Sequence, residues 1–81
     1  MRSNKVIIVN MTVRTERVVS VSVKGDSDKI NLIHNAARRE AIGYCAELNR
    51  KIGTSLSPKQ ISSYRNNLGR KTEMIIDFLL D

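Results

Sequence analysis

The sequence has no tryptophan, one proline, one cysteine, one histidine and only three aromatic residues among its 81 positions. Each scarcity removes a class of function. A single cysteine, Cys45, cannot form an internal disulfide, and disulfide-free chains fit a reducing cytoplasm. A single histidine, His34, leaves too few partners for a zinc-type metal site. His34 and Cys45 are eleven residues apart on what reads as one helix, roughly 16 Å along its axis. They are too distant to act as base and nucleophile, so Cys45 reads as a small buried hydrophobe. Tyr44 and Tyr64 sit at core phase and Phe78 in an apolar tail, which leaves no stacking platform for single-stranded nucleic acid. No apolar run is long enough for a membrane span or a signal-peptide core. There is no Gly-rich phosphate loop, no pair of carboxylates at catalytic spacing and no serine–histidine–acid arrangement. No enzymatic activity, cofactor or metal is expected.

What the chain does have is apolar periodicity and positive charge. Its formal net charge is +6. The length suits one small domain over residues 1–81, with only about 60–65% of the unfolded surface buried.

Residues 5–24 predict a β-hairpin with strands near 5–13 and 18–24. Val9, Met11 and Val13 alternate with polar residues, and so do Val19, Val21 and Val23, the period-2 signal of half-buried strands. A two-residue loop would put Ser20 and Ser22 on the aliphatic face. A three-residue loop, Thr15–Arg17, pairs Val13 with Val19, Met11 with Val21 and Val9 with Val23, and is preferred because a one-residue slip turns every side chain over.

Residues 27–52 predict one long amphipathic helix. Ile30, Ile33, Ala37, Ala41, Tyr44, Leu48 and Ile52 recur at helical spacing. Asp26 or Ser27 is the expected cap, and Gly53 the left-handed stop. Gly43, in mid-helix, is read as a close packing point. Residues 57–80 predict a C-terminal helical region, with a break or kink expected near Gly69 because Asn66, Asn67 and Gly69 are poor helix formers. Ser57, Pro58 and Gln60 match a capping box with proline at the first helical position, and Leu56 with Ile61 matches a hydrophobic staple. Ile61, Tyr64 and Leu68 would then face the core, and Thr72, Ile75, Ile76 and Leu79 continue their phase. The expected fold is α+β, ββαα(α).

The charge is uneven. Residues 54–71 carry Lys59, Arg65, Arg70 and Lys71 with no acid, whereas residues 72–81 carry Glu73, Asp77 and Asp81 with no cation. As a helix, the first stretch would expose Lys59, Ser62, Ser63, Arg65, Asn66, Asn67, Arg70 and Lys71. Cations for phosphates and amides for base edges suit a helix in a DNA groove. Arg14 and Arg17 of the hairpin are auxiliary contacts. The expected function is therefore a small DNA-binding regulator acting on duplex DNA, as a homodimer joined through the long helix or a strand edge. The alternative is a protein-binding modulator that docks on an acidic partner, with β-augmentation at a free strand edge. Helix-turn-helix spacing fits at neither Gly53, where Asn49 stands four residues earlier, nor Gly69, where Arg65 does. A ribbon-helix-helix order is excluded by the long first helix and its two preceding strands.

Overall fold

The structure, a computed structural model, describes residues 7–81. Strand β1 (Ile8–Val13), strand β2 (Val18–Asp26), a 3-10 turn (Ser27–Lys29), helix α1 (Ile30–Ile52), strand β3 (Pro58–Leu68) and strand β4 (Lys71–Leu80) follow in order. The strands form one antiparallel sheet in the order β1-β2-β4-β3. The expected start of the first strand at residues 5 and 6 lies outside the described residues.

The first hairpin has the expected register: Val13 pairs with Val19, Met11 with Val21 and Val9 with Val23. Its loop lacks glycine and uses a hydroxyl instead. Thr15 Oγ1 accepts hydrogen bonds from the backbone N–H groups of Arg17 (3.2 Å) and Val18 (3.1 Å), the local bonding by which threonine stabilises turns. Helix α1 follows the predicted stripe, burying Ile33, Ala37, Ala41 and Cys45. It ends where Gly53, at φ 67°, donates its N–H to the Asn49 carbonyl.

Three local expectations for α1 are corrected. No side chain caps its start; Ser27 Oγ is instead bonded to Thr72 Oγ1 and the Gly69 carbonyl. Gly43 is no packing point, because a Cβ there would meet nothing within 4 Å. Ile52, at the end of the stripe, is half exposed.

The larger correction concerns residues 57–80. They form no helix but the hairpin β3–β4, so the fold is ββαββ rather than ββαα(α). Strand β4 lies between β2 and β3 and alternates strictly: Thr72, Met74, Ile76, Phe78 and Leu80 are buried beneath α1, and the residues between them are half-buried on the other face. This is the period of a strand, with apolar residues on both faces as an inner position allows. Pro58 begins an edge strand, where its missing N–H costs no ladder bond, and does not start a helix. The two-residue turn Gly69–Arg70 joins the paired Leu68 and Lys71. Gly69 has φ 71° and Arg70 is not positive, which matches a II′ hairpin turn with glycine first. Ile61, Tyr64 and Leu68 are therefore exposed, not core.

The core is one layer between α1 and the sheet: Val19, Val21, Val23, Ile33, Ala37, Ala41, Cys45, Met74, Ile76, Phe78 and Leu80. Each large aliphatic side chain buried there contributes about 1.5–3 kcal/mol. The link from α1 to β3 is held by Asn49, whose Nδ2 donates to the Leu56 carbonyl (3.0 Å) and whose Oδ1 accepts from the Leu56 N–H (2.9 Å) and the Thr54 hydroxyl (2.8 Å). The amide thus pairs with Leu56 as a strand neighbour would, and Leu56 packs against the core. No helix among the described residues is long and apolar enough to cross a membrane.

Candidate functional site

The helix does not cover the sheet evenly. It lies chiefly over β2, reaches β4 and β1 less, and touches β3 least. Strand β3 therefore stands at the sheet's edge with almost all of its eleven residues exposed on both faces. Lys59, Ser62, Tyr64, Asn66 and Leu68 share the open face of the sheet with Leu79, Asp77, Ile75, Glu73 and Lys71. Gln60, Ser63, Arg65 and Asn67 share the helix side with Phe78, Ile76, Met74 and Thr72. Ile61 is the extra residue of a β-bulge between Gln60 and Ser62.

The site residues predicted on one helical face are thus divided by strand parity. Four of the eight, Lys59, Ser62, Asn67 and Lys71, are also engaged. On the open face, Asp77 accepts hydrogen bonds from the Ser20 hydroxyl and the Ser62 hydroxyl (3.0 Å), and Arg14 donates to Ser20 Oγ (3.3 Å). This row runs from the first loop across β2, β4 and β3. The Ser20 hydrogen bond above all holds the Asp77 carboxyl below its ordinary value; partial burial opposes the shift, and Ser62 and the Arg14 charge assist it. Lys59 pairs with Asp81 at 3.6 Å and Lys71 with Asp26 at 2.7 Å. Asn67 Oδ1 accepts from the Thr72 hydroxyl at 3.2 Å. Lys24 and Glu73 also share a cross-strand row. Among the described residues the open face is consequently balanced in charge, with no surplus for a polyanion. Arg17 lies in the first loop and gives its carbonyl to the Leu80 N–H.

Surplus positive charge lies on the other side. Arg65 on β3 and Arg38 on α1 are exposed there, and Arg70 is exposed in the turn, beside a cavity it shares with Asp26 and Asp28; among the described residues no carboxylate bonds any of the three. Arg38 and Ile42 of α1, with Pro58, Gln60 and Phe78 of the sheet, line a groove of about 360 Å³ between helix and edge strand. Ile42 is half exposed there. Sequence reasoning weighs Arg38, with Arg39, only as a second candidate for nucleic acid whose charge Glu40 and Glu47 of the same helix would pair, and it misses Ile42 as a site residue. The available signal was an isoleucine set to one side of the buried stripe.

The backbone of β3 completes the site. Ser57 and Asp81 exchange both N–H···O bonds, Leu80 donates to the Arg17 carbonyl, and Ser27 donates to the Arg70 carbonyl. On β4, odd-numbered residues therefore bond to β3 and even-numbered ones to β2. Antiparallel ladders alternate in this way. With Ser62, Tyr64, Asn66 and Leu68 turned inward to β4, Ser63, Arg65 and Asn67 direct their N–H and C=O groups to the free edge. That edge is a ready template for another strand. Among the described residues no three His, Cys, Asp or Glu side chains gather where they could hold a metal ion. No protein-family model matches the chain, and neither a curated protein nor a solved structure does.

Proposed function

We propose that the chain is a small protein-docking module that binds by strand addition at the free edge of β3. The observation that carries this reading is the regular stretch Ser62–Leu68, whose exposed residues Ser63, Arg65 and Asn67 turn their backbone N–H and C=O groups to the free edge. Main-chain pairing supplies affinity in such complexes, and flanking side-chain contacts supply specificity.

Duplex DNA is the second reading, favoured by the exposed Arg38, Arg65 and Arg70 without carboxylate partners. It no longer has a helix to place in the groove, but a two-stranded ribbon also enters the major groove, and β3–β4 is one.

A titration separates the two. The whole 81-residue chain, labelled for amide detection, is mixed with a seven-residue peptide alternating valine and threonine, and separately with random duplex DNA at two salt concentrations. Strand addition protects the amides of Ser63, Arg65 and Asn67 from exchange and is insensitive to salt. DNA binding through three arginines gives a slope of log K against log salt of about −2.7 and is abolished in R38A/R65A/R70A. DNA binding without edge protection by any extended peptide refutes the docking function.

A further inference from the structure

Resting on that docking reading, we infer that the strand added at β3 is an extended acidic segment alternating carboxylates with aliphatic side chains. A strand laid against Ser62–Leu68 points successive side chains to opposite faces. Those on the helix side meet Arg65, flanked by Ser63 and Asn67. The Arg65 guanidinium is exposed and meets no carboxylate among the described residues, so a carboxylate there gains a charge-assisted hydrogen bond without breaking an existing one. Side chains on the open face meet Tyr64 and Leu68, which are 60% and 45% exposed. An aliphatic residue covers this apolar surface. Acid on one face and aliphatic on the other is therefore the complementary pattern.

The same charges argue against a second copy of this chain as the occupant. β3 contains Lys59 and Arg65 and no acid, so pairing it with itself sets cation near cation, which is unfavourable across strands. Charged residues, proline and bulges are the devices that keep edge strands from pairing with themselves. Here Pro58 and the bulge at Ile61 lie at one end. They leave seven residues, Ser62–Leu68, open to a partner of the opposite sign.

The test uses three seven-residue peptides, Val alternating with Glu, Thr or Lys, and a fourth with proline at the centre of the Glu peptide. The whole chain is titrated by calorimetry and amide exchange. The Glu peptide binds one to one, at least tenfold more tightly than the Thr peptide, and protects Ser63, Arg65 and Asn67. The proline peptide loses at least tenfold. Ser63→Pro removes an outward N–H and no ladder bond, a position where edge strands accept proline, and also loses at least tenfold. Arg65→Glu leaves the backbone intact and shifts preference towards the Lys peptide, so the result does not depend on how Ser63→Pro folds. If the Thr or Lys peptide binds wild type as well as the Glu peptide, the acidic partner is refuted while strand addition stands. If the proline peptide binds equally, attraction is purely ionic and the inference fails. If no peptide protects the edge, docking and inference fail together. If these amides are already protected in a dimer without peptide, the occupant is a second copy and the acidic partner is refuted.

Discussion

Adding one methyl group at Gly25 measures how closely α1 lies on the sheet. Gly25 is in β2 opposite Thr72 and is buried. A Cβ at that position would sit 3.1 Å from Ile33 Cγ1, 3.4 Å from Ile33 Cδ1 and 3.6 Å from Ile7 Cγ1. Ile33 is fully buried, so it cannot swing into solvent to make room. Replacing glycine with alanine restricts the unfolded chain and favours folding by about 0.4–1 kcal/mol where the site is compatible. Overpacking a filled core costs about 1–3 kcal/mol. The clash is with a close-packed side chain, so the second term wins, and Gly25→Ala destabilises by about 1–2 kcal/mol. Urea unfolding reads this as a lower midpoint at unchanged slope, and thermal unfolding as a loss of about 4–8 °C per kcal/mol in a domain of this size. Ile33→Ala alone costs about 2–4 kcal/mol through the cavity it leaves. In the double variant the new Cβ enters that cavity, so the combined cost falls short of the sum by at least about 1 kcal/mol. A Gly25→Ala protein as stable as wild type, or strict additivity in the double variant, refutes the close approach of helix and sheet at this point.

Two further perturbations test the hairpin that replaces the expected helix. Asp77 has its pKa lowered in the folded chain, so it contributes stability above the ordinary carboxylate value of about 4 and loses it as pH falls through the depressed value. Acid titration of the urea midpoint from about pH 6 to about pH 3 is accordingly steeper for wild type than for Asp77→Asn; parallel curves would show that the Ser20 and Ser62 bonds do not favour the ionised form. Gly69 holds φ 71° in the β3–β4 turn, a conformation that costs residues with a Cβ about 1–2 kcal/mol. Gly69→Ala therefore lowers the unfolding free energy by about that amount, while the same change at exposed Gly43, inside α1, raises it by up to about 1 kcal/mol. A Gly69→Ala protein as stable as wild type, or more stable as at Gly43, would contradict the placement of residues 57–80 as strands joined at that turn.

The two halves of the chain differ in what their sequences reveal, and the difference has a physical origin. The first hairpin has one buried face, so its serines mark the other face and fix even the register. Helix α1 likewise shows a polar side and an apolar stripe. Strand β4 is an inner strand, bonded on both edges, and carries Ile75 and Leu79 on the open face beside Met74, Ile76, Phe78 and Leu80 on the core face. A run with apolar residues on both faces satisfies period 3.6 as readily as period 2. The motif Ser57-Pro58-Lys59-Gln60 satisfies a capping box, but Pro58 at the head of an edge strand satisfies its backbone equally well. The deciding term is tertiary: β2 offers β4 a ladder and a valine face that a helix could not use. The same misreading scattered the site. Helical phase collects Lys59, Ser62, Ser63, Asn66, Asn67 and Arg70 on one side, whereas strand parity sends Lys59, Ser62 and Asn66 towards acids of β4 and the C-terminus, and leaves Ser63, Arg65 and Asn67 on the helix side of the edge strand. The cations of this segment stay solvent-exposed under either reading; which of them are spent on carboxylates, and which are left for a partner, is decided by the one-residue alternation of β3 against β4.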